Sequence, residues 1–321
     1  MQIDWSGTGG SRNSKNIQVL KKLALSVCLS VVLLSCGSVK KQKQTDQSFP
    51  VANGAELELI SNSFSFTEGP ASDKDGNVFF TDQPNNKIWK YDISGKLTLF
   101  KENAGRANGM YFAPGGKLIA CADEHNQLWA LSPDGHVKVL VDQYQNRKLN
   151  GPNDVWVNKK GVMYFTDPYY QRSYWTRKSP ELAHQGVYIL RKGELPQSID
   201  DSLKRPNGIV GTPDGKYLYV ADIEAGKTYR YTLAADGSVR DKKLLIEQGS
   251  DGMTLDNFGN IYLSGNGVTV YNSSGIRIKH IPVPSKWTAN VCFGGRNKDW
   301  LFITATESLY KIKMQVRGVS E

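Results

Sequence analysis

The 321-residue sequence predicts an all-β fold, a six-bladed β-propeller with four-stranded antiparallel blades. Three observations carry that expectation. One unit recurs six times at a spacing of roughly forty residues; each copy is built of short alternating apolar runs; and the runs are divided by Gly-, Pro- and Asp-rich turns. No amphipathic helical pattern longer than two turns stands out between residues 51 and 321.

Each unit contains a Gly-led apolar run: GNVFFTD from Gly76, GKLIACAD from Gly116, GVMYFTD from Gly161, GKYLYVAD from Gly215 and GNIYLSG from Gly259, with the weaker DWLFITA from Asp299. A second run follows each of them, namely KIWKYD, QLWALS, GVYILR, KTYRYT, GVTVYN and SLYKIK. A third precedes them, opened by EGPAS, NGMYF, NDVWV, NGIVG, DGMTL and NVCFG. Segments such as LTLF and VKVLV supply a fourth strand, and the PGG, PDG and DNFG turns suit tight antiparallel reversals. The sixth unit runs out near Val316 without a fourth strand. The orphan run AELELI, residues 55–60, is expected to complete it and remove the last open sheet edge. Trp89, Trp129 and Trp156 read as inter-sheet core.

The motifs that open the units carry the chemistry. Equivalent positions hold Glu68, Asn108, Asn153, Asn207, Asp251 and Asn290, separated by 40, 45, 54, 44 and 39 residues. The innermost strands of a propeller line its channel, so these six side chains are expected to converge on the axis from one end. One or two Asn or Asp residues there would reflect turn preference, but six oxygen-bearing side chains, including Glu68, make a site for a hard cation. Calcium is preferred to magnesium because it tolerates a cage of large side chains. His125, His136, His184 and His280 form no ligand-spaced pair, and the chain lacks CxxC, HExxH and GxSxG motifs. An enzyme built here must work with a metal and a carboxylate.

Asp82, Asp123, Asp167 and Asp222 end the second strands and fall on the same rim, as turn formers in the case of Asp82 and Asp222. Asp167, and His125 beyond Asp123, are candidate substrate contacts. The separation of 54 belongs to blade three, where residues 168–185 form an insertion far longer than a hairpin needs. Tyr169, Tyr170, Arg172, Tyr174 and Trp175 give it the composition of a lid over a sugar-like ligand, with Tyr169 and Tyr170 as substrate-binding candidates. Asn108 and Asn290 are expected to line the same pocket.

The N-terminal region sets an expectation about compartment. Residues 1–36 read as a lipoprotein signal peptide: Lys21 and Lys22, a short apolar run, then Leu33-Leu34-Ser35-Cys36 with Cys36 as the lipid attachment site. Residues 37–50 read as a polar tether, and the protein is expected in the bacterial envelope, facing the periplasm. Of the formal charge of +9, seven basic residues and one acid lie before residue 44, which leaves no basic patch for nucleic acid. Cys121 and Cys292 fall on non-adjacent blades and are expected as free buried thiols. A monomer is expected.

The motifs FTEGP, LNGPNDVWV, RPNGI and SDGMTLDNFGNIY, in this order, resemble the SMP-30/gluconolactonase family over residues 50–315. The resemblance implies one divalent cation held by Glu68, Asn153, Asn207 and Asp251, with Asp251 also the catalytic base, and hydrolysis of a sugar lactone. Some members carry an arginine two residues before the blade-three asparagine; Gly151 stands there. The alternative is a non-catalytic envelope propeller whose structural calcium supports a glycan- or protein-binding mouth.

Overall fold

In a computed structural model, which describes residues 50–319, the backbone forms six four-stranded antiparallel sheets arranged as a propeller, plus one small hairpin. The innermost strands of blades one to six are Thr67–Ser72, Ala107–Phe112, Val155–Val157, Pro206–Gly211, Met253–Leu255 and Asn290–Gly294. In the first five blades the chain then runs strand by strand to the outer edge, ending in Leu97–Glu102, Val137–Val141, Gln197–Asp200, Val239–Ile246 and Arg277–Ile281.

Blade six closes as the orphan run predicts. Its outer strand is Glu58–Ser61, paired antiparallel with Ser308–Lys313 in the register Glu58 to Lys311 and Leu59 to Tyr310. The strand begins later than the run AELELI because Ala55 is still in a turn, its N–H donating to the Ala52 carbonyl beside Gly54. A preceding contact, Ala52 N–H to the Lys313 carbonyl at 3.1 Å, extends the closure.

The core lies between blades, where alternating apolar residues of one sheet meet those of the next. Trp156 and Tyr164 of blade three stack at 5.4 Å and pack with Ile209, Leu218 and Val220 of blade four. Gly211 makes room for this, since a Cβ there would stand 2.3 Å from the Trp156 ring. Phe80 of blade one meets Phe302 and Leu309 of blade six across the closure. Trp129 and Trp156 are buried as expected, whereas Trp89 is only half-buried, on the rim of that closing cluster. Cys121 and Cys292 are buried free thiols.

Two features depart from the expected repeat. Between blades two and three, Gln143–Tyr144 and Arg147–Lys148 form a hairpin whose turn residues Gln145 and Asn146 both have positive φ, 51° and 60°. Asp123–His125 forms a single 3₁₀ turn at the rim of blade two. Cys36 and residues 37–49 of the tether lie outside the described residues.

A chain that starts after Ser61 would leave Ser308–Lys313 as an unpaired edge. Its thermal unfolding midpoint is expected to fall by roughly 5–10 °C, as followed by circular dichroism. An unchanged midpoint would mean that the closing strand contributes no stability.

Candidate active site

The axial residues are aimed by irregularities in the innermost strands. In blades one, two and four the ladder slips next to the site residue, between Glu68 and Ala71, Ala107 and Met110, and Pro206 and Ile209. Such bulges turn a side chain out of the regular alternation. In blades three and five, Asn153 and Asp251 lie two residues ahead of the strand, and Asn290 begins its own.

Glycines following four of these residues let adjacent blades touch. A Cβ on Gly69 would stand 2.0 Å from the Asn108 carbonyl oxygen, one on Gly109 2.6 Å from the Asn153 carbonyl oxygen, one on Gly208 2.7 Å from the Asp251 carbonyl oxygen, and one on Gly252 1.9 Å from the Asn290 amide carbon. The Gly109 N–H donates to the Asn153 carbonyl at 2.7 Å, so the contact is bonded as well as close.

All six axial residues are brought together at the channel. Glu68, Asn108, Asn153, Asn207 and Asn290 are buried, and Asp251 is half-buried. The Asn207 amide donates to Asp251 Oδ1 at 2.9 Å and to the Tyr170 hydroxyl at 3.1 Å. Asp251 Oδ2 accepts from Trp287 Nε1 at 2.5 Å. Glu68 Oε2 accepts the Gly69 N–H at 2.9 Å, and the nearby Asn290 amide, whose Oδ1 accepts the Val291 N–H, favours the Glu68 carboxylate. The amides of Asn108 and Asn153, by contrast, make no hydrogen bond to a described residue.

A third carboxylate joins them. Asp154 stands where four other blades have glycine, and it is buried. Its oxygens accept the N–H of Val155 at 3.0 Å and of Ile209, one blade on, at 3.3 Å. Burial pushes its carboxyl up to about 8, with Asp251 adding to the shift against its hydrogen bonds. Burial first, then the charges of Asp251 and Asp154, hold Glu68 well above the usual carboxylate range. Burial raises Asp251 to about 6, opposed by its bonds from Trp287 and Asn207 and by the Arg172 charge. Carboxyls gathered so that the Asp251 charge disfavours ionisation of Glu68 and Asp154 suit a cation more than one another.

Among the described residues no three His, Cys, Asp or Glu side chains form a metal-binding group by themselves. The donor set is mixed: carboxylates of Glu68 and Asp251 with amide oxygens of Asn153 and Asn207, the hard oxygen ligands that an alkaline-earth ion takes. Asn153 is a buried residue whose amide is not among the sealed-off polar atoms, so its oxygen is open to that role.

The rim candidates separate into groups. Asp82 and Asp167 each accept two backbone N–H groups, from Ser65 and Phe66 and from Asn150 and Gly151, and Asp222 accepts three, from Lys204, Arg205 and Ala225. Asp167 is fully buried, and this geometry suits a strut better than a substrate contact. His125 is exposed and stacks on Trp129 at 5.3 Å, with no bond to an axial residue. Tyr170 reaches the axis through Asn207, whereas the Tyr169 hydroxyl is turned to Gln171 at 2.5 Å within the insertion.

Asp123 is the anchor of that insertion. Its Oδ2 accepts from Arg172 Nε at 3.0 Å and from the Tyr174 hydroxyl, and its carbonyl accepts from Trp175 Nε1 at 3.0 Å. Gly151 leaves space for the anchor, since a Cβ there would meet Trp175 at 2.8 Å and Asp123 Oδ1 at 2.9 Å. An arginine at position 151 is therefore excluded by packing. Two other axial asparagines do have an arginine two residues before them: Arg205 precedes Asn207, and Arg106, before Asn108, lies 4.6 Å from the Tyr174 ring centroid and 3.5 Å from Glu124. Arg106, Asp154 and Trp287 are the residues that the repeat pattern does not single out.

Residues 51–307 match the family model described as the SMP-30/Gluconolactonase/LRE-like region. The chain is 28% identical over 293 residues to a gluconolactonase of Zymomonas mobilis, covering 82% of each protein. It is 24% identical to lactonohydrolase oryL of Aspergillus oryzae, over 60% of this chain and half of that protein's length. A solved gluconolactonase from Xanthomonas campestris superposes with a TM-score of 0.77 at 27% identity, covering 83% of this chain and 91% of that one.

The Asp123 anchor is directly testable. Asp123→Ala should free the insertion from blade two, so that trypsin cuts after Arg172 or Arg177 in the native protein at least about tenfold faster than in wild type. Equal cleavage rates would mean that the insertion is held elsewhere.

Proposed function

The chain belongs to the SMP-30/gluconolactonase/LRE-like family, and from that premise we propose that it hydrolyses sugar lactones on the propeller axis with one divalent cation. The observation that carries this reading is the axial constellation itself. Glu68, Asp251 and the amides of Asn153 and Asn207 stand at equivalent positions of four blades, and the Asp251 carboxylate is held at both oxygens, by Asn207 and Trp287.

Glu68, Asn153, Asn207 and Asp251 would hold the cation. Once bound it supplies Lewis-acid polarisation of the lactone carbonyl and charge stabilisation for the developing oxyanion. Calcium suits a cage of large side chains drawn from four blades better than magnesium does.

The protein's own groups do the rest. Asp251 takes a proton from the water that attacks the lactone carbonyl carbon. The new C–O bond forms, the ring C–O bond breaks, and the proton passes to the departing ring oxygen to give an open-chain hydroxy acid. Asn207 and Trp287 fix the rotamer of the Asp251 carboxylate, and Tyr170, Asn108 and Asn290 line the space around the substrate. Tyr169, His125 and Asp167 have weaker claims on the substrate, because their hydrogen bonds and stacking are made away from the axis. A non-catalytic glycan-binding propeller has no observation of its own in its favour.

With Asp251 near 6, the base is lost as pH falls through that value, so the rate declines on the acid side. A bound dication stabilises the carboxylate and moves this limb to lower pH.

We also propose that Cys36 carries a lipid and holds the enzyme at the membrane of the envelope, on the strength of its place behind Leu33, Leu34 and Ser35.

Asp251→Asn keeps an oxygen ligand and loses the proton acceptor. Calcium should still bind while gluconolactone turnover falls on the order of a hundred- to ten-thousand-fold; Glu68→Gln should instead weaken calcium binding in calorimetry. Near-normal hydrolysis by Asp251→Asn would remove it from the mechanism. For the anchor, Cys36→Ser should move the protein from the membrane pellet to the soluble fraction, and a soluble wild-type protein would overturn the lipoprotein proposal.

A further inference from the structure

Beside the axis lies a cavity of about 420 Å³, most of whose lining takes no part in the hydrolytic machinery. That volume is within the range of small-molecule sites. It opens between blades four and five, with Asp251, Ser250 and Trp287 at its axial end and Thr269, His280 and Arg277 at its outer end. Asp251 is therefore shared between the channel and this cavity.

The rim of blade five is cut short here. Its second and third strands, Ile261–Gly265 and Gly267–Tyr271, are joined by Asn266 alone, whereas blade three carries residues 168–185 at the same place. The outer strand of blade five stands three inter-strand spacings, about 14 Å, from the innermost one. Arg277 pairs with Tyr271, four residues down the strand from the rim at Gly267, and its long side chain lines the cavity from below.

The outer end is basic and unneutralised. Among the lining residues Asp251 is the one acid, and Arg277 makes no ion pair with any described residue. His280 Nδ1 lies 3.2 Å from Thr269 Oγ1 across paired strands. Its ring is seated against Gly267, where a Cβ would come within 3.0 Å of Cε1. Arg277 is an exposed guanidinium at the mouth of this cavity, beside a fixed imidazole and a hydroxyl, and it can receive an oxyanion there.

We propose that this cavity is a subsite for an anionic group, a phosphate, sulfonate or carboxylate, at the end of the substrate remote from the lactone carbonyl, with Arg277 as its principal contact. The inference rests on the lactonase reading for the substrate's reactive end, and on the cavity alone for its charged end.

Two measurements separate these. In the first, 6-phosphogluconolactone and neutral gluconolactone are compared as substrates. Wild type should favour the phosphorylated lactone in kcat/KM by at least about tenfold, chiefly through KM, and Arg277→Gln should lose that preference. In the second, the open-chain ligands 6-phosphogluconate, glucarate and gluconate are titrated by calorimetry into the calcium-loaded protein, without reference to turnover. The phosphate and the dicarboxylate should each bind more tightly than gluconate in wild type and not in Arg277→Gln, and their order tells which anion the subsite fits. Arg277-dependent binding without hydrolysis of any lactone would support the subsite and overturn the lactonase reading. Hydrolysis with no preference for the anionic lactone, and equal affinity for all three ligands, would leave the lactonase reading intact and overturn the subsite. An Arg277→Gln protein that unfolds is replaced by Arg277→Lys, which keeps the charge but not the fork and should retain only part of the preference.

Discussion

The site depends on how closely neighbouring blades can approach at the axis. Gly69, Gly109, Gly208 and Gly252 each abut the following blade at distances that leave no room for a Cβ. That contact draws six strand starts into one ring, so that side chains from different blades share a single small volume. A larger residue at any of these four positions would push its neighbour outward and widen the ring there. The geometry of the donors is thus a property of backbone packing before it is a property of the donors.

In blade three Asp154 takes the place of that glycine. The blade uses the carboxylate to accept the Ile209 N–H, and so fastens itself to blade four by a hydrogen bond instead of by bare contact. The result is a third buried carboxyl near Glu68 and Asp251: the Asp251 charge raises the tendency of both Glu68 and Asp154 to stay protonated, and Asp154 adds to it at Glu68. A structure that gathers buried acids in this way carries an electrostatic cost at its centre. The inter-blade apolar packing around Trp156, Phe80 and their partners offsets it, and a dication on the axis would turn the same repulsion into attraction.

What the sequence made legible was what the repeat repeats. Six Gly-led runs and their alternating partners marked the blades, and the equivalent residues Glu68 to Asn290 marked the ring, because a period near forty residues multiplies each local signal by six. The outer strand of blade six was legible as a leftover, with only its start displaced by the turn at Gly54. Residues without a counterpart in other blades were not legible. Trp287 lies in the loop between Arg277–Ile281 and Asn290–Gly294, where nothing in the pattern marks it, yet it donates to Asp251. Asp154 was hidden by adjacency to Asn153. The Gln145-Asn146 turn did carry a local signal, but a pair of two-residue strands lies below what periodicity resolves.

The same distinction orders the chemistry. Groups supplied by symmetry, one from each blade, can only meet on the axis, and there they make a centre suited to a small ion and a carbonyl. A substrate's remaining atoms must leave the axis, and they can do so only where the blades differ. On one side the long blade-three insertion, pinned to Asp123, raises a wall of tyrosines and arginines. On the other, the one-residue turn at Asn266 lowers the rim of blade five and leaves the cavity that ends at Arg277. Reactivity therefore follows from the repeat, and selectivity from the two places where the repeat is broken. A relative that kept the axial ring while exchanging these two segments would keep the reaction and change its substrate.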